Sequence, residues 1–365
     1  MIAWAIATVL LGPVFFYGGT QLAQVMLRQG ATANDLFKGR EWLAITFVLC
    51  YLLLLLLVVN LPQLNVLPLE WRVSGMRVSW LLIRLLLLGA CGVAIAISWK
   101  TARVQLTTIS LVGILGLGGF AIAESHFLAP IHPELSNNLQ PNGIFRQTSA
   151  SSCAPAALAT LLRRWGIEAT ESRAAELAET SRMGTSMPQL IQAIHSYGMA
   201  AIELKPTWQQ MRRINRPAIL SVWQRGPGYQ LAHAVTLMAM TDEKAVIADP
   251  AIGKYVEWSK AEFYDLWREE YVPVFRPQDL ELDNATTREH LKKLGYNSTP
   301  NTLSQAIAQF QADWQLKPTG VLDPKTKLLL LGKFLKQAPT LDPEQFTTDL
   351  MSQMNCLDRP HQCPW

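Results

Sequence analysis

Charged residues are scarce in this chain of 365 residues. Only 16% of its residues are charged, whereas about 25% is typical of a soluble domain, and hydrophobic residues reach 50%. This composition excludes an intrinsically disordered protein and is unusual for a wholly soluble one. Residues 131–365 hold 24 basic and 24 acidic side chains, so they lack the basic surface that nucleic acid requires. Nucleic acid is therefore excluded as a partner.

Charge is scarcest in residues 1–130, which hold 8 Lys and Arg and 4 Asp and Glu. About 20 consecutive apolar residues cross a bilayer, and four stretches here meet that length: residues 1–27, 42–69, 80–99 and 104–123. They are apolar on every face, unlike a helix at the surface of a soluble core. A cleaved signal peptide does not fit the first stretch, which lacks a basic start. The sequence predicts a four-helix transmembrane region with the lipid bilayer as a partner.

Two features of this region allow more detailed predictions, an arginine and a group of glycines. Arg84 lies inside the third stretch and is expected to extend towards the membrane surface rather than to line an ion path. Four glycines in the fourth stretch are expected to allow close helix packing. They are Gly113, Gly116, Gly118 and Gly119.

The loop charges predict the orientation. The first and third loops together carry five Lys or Arg, and the second loop carries two. Because cytoplasmic loops are enriched in Lys and Arg, the first and third loops are predicted to be cytoplasmic. After four crossings both termini lie outside the cytoplasmic membrane.

Cysteine is also scarce, with 5 in the chain, and one of them has a distinctive setting. Cys153 follows a run of serines and precedes an Ala- and Leu-rich segment that ends at Gly166. Serine is a good helix N-cap, so Cys153 is predicted at or next to a helix N-terminus. The positive end of the helix dipole favours a thiolate, the form that acts as a nucleophile. A small buried structural cysteine is the alternative interpretation.

Two more side chains fit a nucleophilic cysteine. Residues 233–240 alternate like a strand, residues 241–244 form a turn, and residues 245–248 form a second strand. An antiparallel hairpin brings the start of its first strand beside the end of its second. His233 and Asp249 are therefore predicted to be neighbours, as a base and its orienting carboxylate are. The alternative is a strand-end histidine and a turn-forming aspartate.

Gln147, six positions before Cys153, completes a pattern that resembles the C39 peptidases. These are papain-like α+β domains with which bacteriocin exporters remove double-glycine leader peptides. The resemblance implies that Cys153 is the nucleophile, His233 the general base, Asp249 its orienting group and Gln147 an oxyanion-hole donor. Ser152 and Ala154 stand where the family usually has an acidic residue and a glycine. The chain has no Walker A motif, so it is not an exporter itself, and a separate transporter is an expected partner.

A second resemblance lies beyond a polar linker at residues 277–285. Leu-Gly-Tyr at 294–296, Phe-Gln at 310–311 and Gly-x-Leu-Asp-x-x-Thr at 320–326 resemble the peptidoglycan-binding domain, a small three-helix bundle. This implies peptidoglycan as a partner and a location outside the cytoplasmic membrane. Phe310 is interpreted as a core residue. Tyr296 and Trp314 are equally well explained as core or as ligand contacts.

The C-terminal tail contains Cys356 and Cys363, which form either a disulfide in an oxidising periplasm or two free thiols. A zinc site with His361 lacks a fourth ligand. The sequence predicts neither a cofactor nor a metal.

The sequence therefore predicts a multidomain protein of the inner membrane, with its peptidase and C-terminal domains in the periplasm. Its parts are a four-helix transmembrane region (1–130), a C39-like α+β peptidase domain (138–276), an all-α peptidoglycan-binding-like domain (286–335) and a tail (336–365). The predicted function is hydrolysis of a peptide or protein through a thioester, at a site tethered to the wall. The alternatives are hydrolysis or transfer at peptidoglycan stem peptides, and a non-catalytic link between membrane and wall.

This hypothesis predicts that residues 131–365 react with a thiol-directed peptide electrophile at Cys153. The His233→Ala variant should react much more slowly, because it lacks the base that ionises the thiol. Labelling is measured by mass spectrometry. Equal labelling of the two proteins would contradict a Cys–His pair.

Overall fold

The computed structural model describes residues 2–35, 69–226, 228–296, 303–334 and 337–348, and six isolated positions between 42 and 56. The chain divides into two compact units, Met1–Ala129 and Pro130–Trp365.

The first unit is helical. Its described helices are α1 (Ile2–Arg28), α2 (Leu69–Thr101) and α3 (Leu106–Phe127), with a 3₁₀ turn at Arg103–Gln105. Within the described part of the chain, three helices are long and apolar enough to cross a membrane, rather than the four predicted. Most of the second predicted span, residues 42–69, lies outside the described residues.

Among the glycines of α3, Gly113 shows the expected close helix packing, because a Cβ there would lie 3.3 Å from the sulfur of Cys91 in α2. A Cβ atom on Gly116, Gly118 or Gly119 would meet no described atom within 4 Å. A Cβ on Gly19 of α1 would instead lie 2.0 Å from the carbonyl oxygen of Gly89 in α2. A run of small residues shows where helices can approach, and the helix that lies opposite decides where they do.

The expectation for Arg84 is also wrong. Its Nη1 donates to Thr8 Oγ1 at 2.7 Å, and its Nη2 forms an ion pair with Glu124. The side chain is only 21% exposed and joins all three helices instead of extending to a surface. A polar group in an apolar helix finds a partner inside the bundle when one is within reach.

The second unit is built on an antiparallel sheet of six strands in the order β3-β8-β4-β5-β6-β7. Its strands are β3 (Ala200–Ala201), β4 (Ala218–Gly226), β5 (Tyr229–Met240), β6 (Lys244–Asp249), β7 (Lys254–Ser259) and β8 (Trp267–Phe275); a small separate pair contains β1 (Asn138–Leu139) and β2 (Phe145–Arg146). Its helices are α4 (Cys153–Arg164), α5 (Glu171–Leu177), α6 (Met187–Ser196), α7 (Trp208–Ile214), α8 (Lys260–Leu266), α9 (Asn284–Lys293), α10 (Leu303–Asp313) and α11 (Pro324–Leu331). Two 3₁₀ turns lie at His132–Glu134 and Pro277–Leu280. An α+β domain followed by a helical domain agrees with the predicted fold class.

Helix α4 packs on the central strand β5. Thr236 Oγ1 of β5 donates to the carbonyl oxygen of Ala157 in α4 at 3.0 Å. On the other side, Thr160 Oγ1 accepts the N–H of Phe145 at 3.0 Å. These groups are buried, so each bond satisfies a polar atom that would otherwise be costly. The helix is thereby fixed against the strand that carries His233.

Helices α9 to α11 form the C-terminal domain around Phe310 and Gln311. Phe310 is 1% exposed, as expected for a core residue. Gln311 is fully buried; its Nε2 donates to the carbonyl oxygen of Val321 at 2.8 Å and its Oε1 accepts the N–H of Gly320 at 2.9 Å. Gly320 has φ +69°, a backbone conformation that favours glycine. The hydrogen bonds of Gln311 therefore connect the Phe-Gln element of the motif to the loop that contains its glycine.

These helices share one hydrophobic core with the α+β domain. Arg213 of α7 is 7% exposed, and its Nε donates to the carbonyl oxygen of Leu329 in α11 at 2.8 Å. Its guanidinium lies 5.2 Å from the ring centre of Trp314. A Cβ on Gly332 would lie 1.7 Å from the carbonyl oxygen of Arg213, so only glycine fits there. The predicted polar linker therefore does not separate the two parts.

The described part of the tail, residues 337–348, also lies on the peptidase domain. Arg164 Nη2 donates to the carbonyl oxygen of Thr340 at 2.7 Å, and Phe346 packs against Tyr255 with 5.2 Å between ring centres. Cys356 and Cys363 lie outside the described residues.

Replacing Arg213 with alanine should lower the free energy of unfolding of the 130–365 unit by about 2–3 kcal/mol. The variant leaves a buried carbonyl without its donor and removes a cation–π contact. Arg212→Ala on the same helix is the matched control. Arg212 forms an exposed ion pair with Asp242, so its loss should cost less than about 1 kcal/mol. Urea unfolding followed by tryptophan fluorescence measures both, and equal losses would contradict the role assigned to Arg213.

Candidate active site

Cys153 is the first residue of α4, at the helix N-terminus that the sequence predicts. Ser152 is the N-cap residue but makes no side-chain capping bond. Its Oγ instead donates to the carbonyl oxygen of Ser149 at 2.9 Å and accepts the Ser149 N–H at 3.0 Å. The serines thus close the turn before the nucleophile and leave the first N–H groups of the helix available to a negative charge.

His233 lies inside β5 and not at its start, because the strand begins four residues earlier, at Tyr229. The β5–β6 hairpin still brings it to Asp249, the last residue of β6. His233 Nε2 lies 2.8 Å from Asp249 Oδ1, and that oxygen also accepts the N–H of Ala251 at 2.9 Å. The bond from Ala251 holds the carboxylate of Asp249 in place, and the carboxylate in turn orients the ring of His233.

The ring of His233 is placed to hydrogen-bond with the sulfur of Cys153 and to influence its ionisation. Since Nε2 faces Asp249, Nδ1 is the nitrogen left for the sulfur. Burial alone would raise the pKa of the thiol, but this bond, the charge of His233 and the backbone N–H groups of Ala234 and Ala154 together lower it. Burial likewise acts to lower the pKa of His233, but Asp249 and Cys153 raise it to about 9. Both shifts favour a thiolate–imidazolium pair at neutral pH.

Gln147 is held beside this group. Its backbone N–H donates to the carbonyl oxygen of Pro250, next to Asp249, at 2.9 Å. Its side-chain Nε2 donates to the carbonyl oxygen of Ser149 at 2.9 Å. An amide NH₂ has two hydrogens, so one fixes the side chain in the loop that leads to Cys153 and the second is available to a ligand.

The backbone N–H of Ala234 lowers the pKa of the Cys153 thiol, an influence that the sequence did not predict. It follows His233 on β5, so the same strand supplies the ring and a backbone donor. No residue type marks such a donor, because every residue except proline has one. Only the position of β5 beside α4 selects it.

Comparisons with known protein families divide the chain as the sequence analysis does, into a peptidase domain and a C-terminal peptidoglycan-binding domain. Residues 142–279 match the model of the peptidase C39 family, and residues 285–330 match that of the peptidoglycan-binding domain. An uncharacterized protein of Methanothermobacter marburgensis is 38% identical over 111 residues, which are 30% of this chain and 73% of that protein. One from Methanothermobacter thermautotrophicus is 35% identical over 120 residues, 33% of this chain and 80% of that protein. The chain belongs to the C39 family of cysteine peptidases.

Solved structures similar to this C39 peptidase include two peptidase domains of transporters. The peptidase domain of Streptococcus ComA, a bi-functional ABC transporter of a quorum-sensing pathway, is 21% identical with a TM-score of 0.34, and the match covers 37% of this chain and 98% of that one. A double-glycine-motif protease from an AMS/PCAT transporter, in complex with its leader peptide, is 21% identical with a TM-score of 0.32 and coverages of 36% and 90%. The family models confirm both resemblances inferred from the sequence, in the predicted order.

The ring of His233 should titrate near pH 9, well above an ordinary histidine. Asp249→Asn should lower this pKa by about one to two units, because it removes the charge that favours the imidazolium. Hydrolysis should fall as the pH passes the pKa of the ring, since the leaving amine then has no proton donor. An NMR titration measures the ring directly. Titration of His233 below pH 7 would contradict the ion pair.

Proposed function

We propose that this C39 peptidase is anchored in the membrane, cleaves a peptide outside the cytoplasmic membrane and is held at the cell wall by its C-terminal domain. The observation that carries the proposal is the position of His233, whose ring lies 2.8 Å from Asp249 and lowers the pKa of the Cys153 thiol. A buried, ionised sulfur at a helix N-terminus with an aligned imidazole is the arrangement of a cysteine nucleophile.

In the first half of the reaction, the thiolate of Cys153 attacks the carbonyl carbon of the substrate. The oxygen becomes negative, and Gln147 with the backbone N–H of Cys153 stabilises it. The imidazolium of His233 gives its proton to the leaving amine, and the C–N bond breaks. The acyl group remains on the sulfur as a thioester.

In the second half, water attacks the thioester. The now neutral His233 takes a proton from this water, and the same two donors stabilise the second oxyanion. Cys153 leaves as a thiolate beside a protonated ring, which restores the starting pair. Asp249 keeps the ring in one orientation and stabilises its charged form in both halves.

We infer a multi-pass protein of the inner membrane with both domains in the periplasm. Three described helices have the length and composition to span a bilayer. The five-to-two distribution of loop Lys and Arg favours an external C-terminal part. A peptidoglycan-binding domain supports the same side, because its ligand lies outside the cytoplasmic membrane.

A second candidate function is cleavage within peptidoglycan stem peptides. It is favoured by the helical domain, which is packed into the core of the peptidase domain rather than set apart from it. A wall ligand bound there would lie a fixed distance from Cys153. Under the leader-peptide alternative, a separate transporter would be the expected partner.

Incubating the full chain with isolated sacculi and, separately, with double-glycine peptides distinguishes these substrates. Cleavage after the glycine pair supports a leader peptidase, whereas release of stem-peptide fragments supports the second candidate. Either activity should disappear in Cys153→Ala, which keeps the fold but has no nucleophile. Mass spectrometry of the products measures both. Activity that persists in this variant would overturn the mechanism.

A further inference from the structure

A buried glutamate accepts two hydrogen bonds from the residue that follows Gln147. Glu171 is the first residue of α5, and its side chain is 0% exposed. Its Oε1 accepts the backbone N–H of Thr148 at 2.7 Å, and its Oε2 accepts the Thr148 hydroxyl at 2.9 Å. Both oxygens thus bind one residue. Burying a carboxylate is costly without such bonds, so this contact strongly constrains Thr148.

The segment around Gln147 is held from its other side as well. The N–H of Gln147 donates to the carbonyl oxygen of Pro250 at 2.9 Å. The hydroxyl of Thr148, which donates to Glu171, also accepts the N–H of Ser136 at 3.2 Å. The backbone at residues 147–148 therefore lies between the end of β6 and the start of α5, with a fixed bond on each side.

We propose that Glu171 is a positioning residue of the peptidase, which holds the Gln147 loop so that the side-chain amide meets the oxyanion. This inference rests on the proposed role of Gln147 as an oxyanion donor. Glu171 itself contacts neither substrate nor sulfur; it acts through Thr148. A donor stabilises an oxyanion only at hydrogen-bond distance and good alignment, so a loose loop forfeits much of its effect.

The contact explains why a carboxylate is required at position 171. Thr148 presents two donors, an N–H and an O–H, and an ionised carboxylate offers two acceptors. Glutamine has the same size but one acceptor, so its NH₂ would face a donor of Thr148. The first turn of α5 also stabilises a negative charge. Glu171→Gln therefore keeps the size of the side chain and changes its charge and its hydrogen-bond pattern.

Two small reagents separate this role from effects on the nucleophile. p-Nitrophenyl acetate acylates a thiolate through an oxyanion, whereas iodoacetamide alkylates the same sulfur without one. In the full chain in detergent, acylation is followed by p-nitrophenol release with the Cys153→Ala background subtracted. Alkylation is measured by mass spectrometry on the peptide that contains Cys153. Neither reagent requires the natural substrate to be known.

Glu171→Gln should lower the acylation rate by roughly 10-fold to 100-fold and leave the alkylation rate within about two-fold of the wild type. Complete removal of an oxyanion donor costs about 100-fold to 1,000-fold, and a displaced donor should cost less. Gln147→Ala should show the same selective loss. Adding Glu171→Gln to Gln147→Ala should slow acylation no further, since both act through one donor.

Glu176→Gln on the same helix is the matched control and should leave both rates unchanged. Glu176 forms an exposed ion pair with Arg173. Thr148→Ser, which retains both donors, should also be unaffected, whereas Thr148→Val should lose part of the acylation rate. These Thr148 variants test the contact even if Glu171→Gln fails to fold, which circular dichroism would reveal.

Unchanged acylation in a folded Glu171→Gln variant would overturn the inference, as would a parallel loss of both rates. Unchanged acylation in Gln147→Ala would overturn it together with the role of Gln147. Failure of the proposed function has a different signature: the wild type and His233→Ala would then be alkylated equally fast at neutral pH.

Discussion

The site depends on where one proton lies, on the sulfur of Cys153 or on the ring of His233. The remaining groups of the site determine which of the two holds it. Burial alone would protonate the thiol and deprotonate the ring, because it disfavours both charges. The charged pair is favoured only because each partner has further stabilisation. The sulfur has the N–H groups of Ala154 and Ala234, and the ring has Asp249. A thiolate nucleophile at neutral pH therefore depends on all of these groups acting together.

These groups meet because one strand and one helix are locked together. β5 carries His233 and the N–H of Ala234, and its Thr236 is bonded to α4 at Ala157. Cys153 is at the start of the same helix. The distance between sulfur and ring is thus fixed by a buried bond about one helical turn away. Asp249 comes from the next strand, where the antiparallel pairing places it near His233 although the two are 16 positions apart.

Local patterns predicted the parts of the site that local chemistry determines. A serine run before an Ala-rich segment indicated the helix that begins at Cys153, and the alternation after His233 indicated the hairpin. The contacts of Arg84 and of the glycines could not be predicted this way, because they depend on which helix lies opposite. The same holds for Glu171: nothing near it in the sequence points to Thr148, 23 positions earlier.

The packing of Arg213 shows that the two domains named from the sequence share one core in this chain. A polar segment before α9 indicated a linker, yet α7 and α11 share a core, and Arg213 of α7 donates a hydrogen bond to Leu329 of α11. A flexible linker would let the peptidase search a volume around its wall ligand. A shared core prevents this movement of one domain relative to the other. A substrate must then reach Cys153 from a position set by the wall contact, so the fixed packing would restrict which wall-associated peptides can be cleaved.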